Sequence, residues 1–66
     1  MAKTVYEYLL DEKALCESMA DGCRREMERL GQSDFFERLI AKNLNAAKAI
    51  ELAAQNLPVE VAEKEI

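Results

Sequence analysis

The chain has no histidine and no tryptophan, one proline, two glycines and two cysteines among 66 residues. Each scarcity removes a class of chemistry. Without histidine there is no imidazole to serve as a general base near neutral pH, or to complete the Glu-x-x-His ligand sets of di-iron bundles. Two thiolates alone fill half of a tetrahedral zinc site. Cys16 and Cys23 are seven residues apart, about 10 Å along one helix, beyond the roughly 7 Å limit for Cα atoms joined by a disulfide. They read as small apolar residues of a core stripe; a redox switch or an intersubunit bridge is the alternative. There is no glycine-rich phosphate loop and no hydrolase, kinase or dinucleotide motif. No run approaches the roughly 20 apolar residues of a membrane span. Met1 to Lys3 leads straight into Thr4-Val5-Tyr6-Glu7, without the basic and then apolar regions of a signal peptide. The expectation is a cytoplasmic, non-catalytic chain with reduced thiols, no cofactor, no metal and no membrane partner.

What is abundant is helix-forming. Ala, Leu, Glu, Lys, Arg and Met dominate, and only seven residues are β-branched, three of them in the last eight positions. No segment alternates long enough to read as a strand. Thr4 and Glu7 have capping-box spacing, so a first helix is expected over 4–30, closed by Gly31. Its stripe is Val5, Leu9, Cys16, Ala20, Cys23, Met27 and Leu30, with Met19 at the edge. Residues 31–34 form a turn. Ser33 or Asp34 caps a second helix over 35–55, and Glu37 repeats the capping-box spacing from Asp34. So short a turn makes the helices antiparallel neighbours. Pro58 suits the first turn of a short helix over 58–65. Val59, Val61 and Ile66 allow an extended tail instead, and a terminal acidic segment is expected to fray. The predicted fold is all-α: one domain, a helical hairpin with a short C-terminal helix or tail.

The second helix is apolar around about half of its circumference, more than the roughly 100° stripe that one neighbour needs. Leu39, Ile40 and Ile50 supply bulk, while Ala46, Ala47, Ala53 and Ala54 form two adjacent tracks of small residues. Two neighbours are implied. The simplest second one is the same helix of another copy, giving a homodimeric four-helix bundle; the competitor is the chain's own tail. A small domain with little core also favours oligomerisation. Asn43 falls within this apolar region. It either fixes register by meeting Asn43 of a second copy or a facing backbone group, or lies at an exposed edge.

Charge is acidic overall, with 13 Asp and Glu against nine Lys and Arg. That argues against a general nucleic-acid coat. Arg24, Arg25, Arg29, Arg38 and Lys42 nevertheless gather near the turn, where residues 22–42 carry five positive and four negative charges, +1 net. Helix-dipole complementarity and pairing with nearby acids explain such a group; contact with RNA, phosphate or an acidic protein surface is the functional reading. The acidic pairs Glu7/Asp11 and Glu17/Asp21 read as solvated faces. Tyr6, Tyr8, Leu10 and Leu15, with Leu52, are candidates for a docking patch.

In length and pattern the chain resembles the plasmid copy-number regulators of the Rop type, helical hairpins that dimerise into four-helix bundles and bind paired RNA loops. The resemblance implies RNA contact through the five cations. The residues themselves favour a small interaction or regulatory protein that acts through a helical surface, such as an inhibitor, an antitoxin-like protein or an accessory subunit, with a protein partner.

Overall fold

The computed structural model describes residues 2–66. Three helices follow in order: α1 over Val5–Leu30, α2 over Asp34–Gln55 and α3 over Val59–Ala62. The two long helices fold back on each other as a hairpin measuring 46 × 24 × 11 Å. The shortest dimension is that of one helix with its side chains, so the molecule is a single layer.

α1 starts where its capping chemistry dictates. The Glu7 amide donates to Thr4 Oγ1 at 3.1 Å and the Thr4 amide donates to Glu7 Oε1 at 3.0 Å. The Thr4 amide, and after it the Thr4 hydroxyl, hold the Glu7 carboxyl below its ordinary pKa. The helix ends at Gly31, whose φ of 97° lies where side-chain-bearing residues are strained, and whose amide donates to the Met27 carbonyl at 2.8 Å. The second start differs from expectation. Ser33 is the N-cap, without a side-chain bond, and Asp34 is already inside the helix. With Asp34 one position in, the Asp34/Glu37 pair cannot close a capping box. Both carboxylates instead lie in the first turn, where they suit the helix dipole. At the far end Asn56 donates from its side chain to the Leu52 carbonyl at 2.8 Å, covering one of the last free acceptors.

The tail combines both sequence readings. After Pro58 (φ −59°) it makes the single turn of α3, then runs extended and pairs antiparallel with the residues before α1. The Val5 amide donates to the Lys64 carbonyl at 2.8 Å and the Ile66 amide to the Lys3 carbonyl at 2.9 Å. The expected fraying is thus replaced by backbone bonds that also satisfy a free donor of the first turn of α1. The tail closes the open end of the hairpin rather than running back along α2.

Two outcomes follow for stability, both measurable by chemical denaturation. Thr4→Ala should cost about 1 kcal/mol at neutral pH. Because the folded pKa of Glu7 is lowered, the stability it adds is present above the unfolded carboxyl pKa and is lost as pH falls through the folded one. Glu7→Gln removes that contribution, so the gap between wild type and Glu7→Gln should narrow in acid. The two glycines should respond oppositely. A Cβ at Gly22 meets nothing within 4 Å, so Gly22→Ala should stabilise α1 by about 1 kcal/mol. Gly31→Ala should destabilise by a similar amount, since its φ is unfavourable to alanine whatever the space.

Candidate functional site

The core seam is made of small residues. Ala20 is fully buried, Ala47 is 4% exposed and Ala54 6%, and these three are the whole buried set among the described residues. Small side chains let the helix axes approach closely, but they remove little apolar surface from water. No large side chain is fully buried. Cys16, Cys23, Leu39, Ile40 and Ile50 line the seam half-buried.

Those alanines fix which way every other residue faces. At about 100° per residue from Ala20 or Ala47, each helix has two flanks, and in an antiparallel pair the flanks reached by the same sense of rotation share one broad side. The forward flanks are mixed, with charged residues beside the exposed Tyr6, Leu10 and Leu44. Lys13 bridges to Glu51 across the helices at 3.9 Å, and Arg24 pairs with Asp21 at 3.2 Å. The backward flanks are apolar. α1 contributes Tyr8, Leu15 and Met19; α2 contributes Leu39, Ala46, Ala53 and Phe35. Leu15 is 55% exposed, Met19 54% and Phe35 64%. Glu12 and Glu26 of α1 and Lys42 of α2 interrupt this side with charge. There is no cavity among the described residues, and the candidate site is this open apolar side.

The two alanine tracks of α2 have separate places. Ala47 and Ala54 are buried in the seam; Ala46 is half-buried and Ala53 exposed on the open side. Asn43 is half-buried beside the seam, and its Nδ2 donates to the Leu39 carbonyl of its own helix at 2.8 Å. Its amide donor thus has a partner within the single chain.

All five cations are exposed and lie in the turns flanking residues 31–33. They are together lengthwise but spread around the hairpin. Arg25 and Arg29 face the outer edge of α1, Arg38 and Lys42 the outer edge of α2, and Arg24 the polar side. Arg29 pairs with Glu26 at 2.7 Å, while Arg38 and Lys42 join no ion pair among the described residues. The expected tyrosine and leucine patch also divides: Tyr8 and Leu15 fall toward the apolar side, Tyr6 and Leu10 toward the polar one. The paired acids are taken up locally. Glu7 caps α1, and Asp11 pairs with Lys3, raising the lysine pKa through their hydrogen bond and charge.

Two features escaped the sequence. The Lys13–Glu51 bridge marks the polar side, and an opposite-charge pair of that kind carries no signal until the helices are in register. Glu12 and Glu26 as the charges of α1 on the apolar side follow from angular arithmetic once Ala20 is known to be the point of closest contact. That contact should tolerate nothing larger. Ala20→Leu should cost about 1–3 kcal/mol through overpacking, read as a loss of thermal stability by circular dichroism.

No helix among the described residues is long and apolar enough to cross a membrane. No protein-family model, curated protein or solved structure matches the chain.

Proposed function

We propose that the protein is a small non-catalytic interaction protein that works through its helical surface as a homodimer, the apolar sides of two hairpins meeting in a four-helix bundle. One observation carries this reading: a side built from both helices leaves Leu15, Met19 and Phe35 open, while no large side chain among the described residues is fully buried. A layer one helix thick cannot enclose a core. A second layer would cover Met19, Leu15 and Ala53 and leave the charged sides outward to meet a partner. The tail does not compete for this surface, because its backbone bonds hold it at the open end. A partner would then be regulated, inhibited or assembled through the outward charged faces, where rim charges set specificity. The RNA-binding alternative has weaker support within one hairpin, where Arg25 and Arg29 diverge from Arg38 and Lys42 to opposite edges and form no continuous row for phosphates. Only a second copy with its turn at the same end would bring the two pairs to one edge.

Sedimentation equilibrium tests the reading. The expected mass is twice that of the 7.5 kDa chain. Met19→Glu, which places a charge on the apolar side, should shift the protein to monomer, whereas Lys48→Glu on the polar flank should leave the mass unchanged. A wild-type chain that sediments as a folded monomer at every concentration would overturn it.

A further inference from the structure

Resting on the homodimer reading, we infer how the second copy lies: α1 of each chain crosses onto α2 of the other, and both turns point the same way. Two twofold arrangements can bring the apolar sides face to face. An axis parallel to the helices stacks α1 on the partner's α2 with the turns at one end. An axis across the helices stacks α1 on α1 and α2 on α2 with the turns at opposite ends. Two independent features of the apolar side distinguish them.

The first is size. Over the middle of this side α1 presents large residues, Leu15 and Met19, and α2 small ones, Ala46 and Ala53, while the larger Leu39 and Phe35 of α2 lie toward the turn. In the hairpin, residues at equal height sum to roughly 65, as Lys13 with Glu51 illustrates. With the turns together, the same rule holds between chains. Met19 then falls opposite the partner's Ala46, and Leu15 between its Ala46 and Ala53, large against small over the middle of the layer; nearer the turn Glu26 falls opposite the partner's Leu39. Interdigitation of this kind reaches interior density without strain. The opposed arrangement, in the register that sets Met19 on Met19, sets Ala46 on Ala46, so at that level the two stacked pairs require different separations.

The second is charge. The apolar side of α1 carries Glu26 at its turn end. At the same height the rim of α2 carries Arg38 and Lys42, which join no ion pair among the described residues. Arg29 engages Glu26 Oε2 and leaves its other oxygen for a cation of the second copy. With the turns together, Glu26 approaches Arg38 and Lys42 twice per dimer. With the turns opposed, the Glu12 end of one α1 lies over the Glu26 end of the other, like charge facing like charge.

The test is a distance. A nitroxide placed at Gln32→Cys in a Cys16→Ser, Cys23→Ser background should report turns about 10 Å apart, the spacing of packed helices. A distance near the hairpin length of 46 Å in a sample of dimeric mass would overturn the arrangement while leaving the dimer standing. A monomeric wild type would remove both. A second measurement keeps the native cysteines in place. Glu26→Lys should weaken dimerisation about tenfold, because an attraction is replaced by repulsion at two symmetric sites. Adding Lys42→Glu should restore most of the loss. If Glu26→Lys instead tightened the dimer, the opposed arrangement would be the correct one.

Discussion

The structure depends on how closely two helices approach along Ala20, Ala47 and Ala54. Alanine allows that approach because it has no bulk to hold the axes apart, and it limits the result for the same reason, since each one removes little area from water. The hairpin is therefore well defined in geometry but has little apolar burial to offset the entropy of ordering the chain. Larger side chains lie beside the seam, and Leu15, Met19 and Phe35 among them stay open on one side of the layer.

The chain ends are organised around this limitation. At the closed end, Gly31 turns the chain within three residues and keeps the helices in register. At the open end, the tail pairs with residues before α1 through the Val5–Lys64 and Ile66–Lys3 bonds. That pairing ties down two termini that would otherwise open the hairpin. It adds backbone bonds but little apolar cover, so it secures the layer without completing it.

Much of this was legible in the sequence where the signal was local. Thr4 with Glu7, Gly31 and Pro58 mark ends through chemistry confined to a few neighbours, and the structure places ends there. Ser33 and Asp34 were equally good caps on composition, and only the backbone path selects the serine. The breadth of apolar surface on α2 was visible from periodicity, but its meaning depended on which alanine track α1 occupies. Burial of Ala47 and Ala54 answers that and leaves Ala46 and Ala53 on the open side. The cations show the limit most plainly. Position along the chain puts all five near the turn, whereas their direction depends on the seam, and the seam sends them to different edges. The pairing of Thr4 with Glu65 joins distant backbone and has no side-chain signature.

The central claim is that a single layer is an incomplete fold, finished by a second copy. Coupled folding and association makes stability depend on concentration. The most direct measurement is the thermal midpoint, followed by far-ultraviolet circular dichroism over a wide range of protein concentration. The account predicts a midpoint that climbs steadily as the protein is concentrated. A cooperative transition at one fixed temperature throughout would mean that the isolated hairpin is already complete.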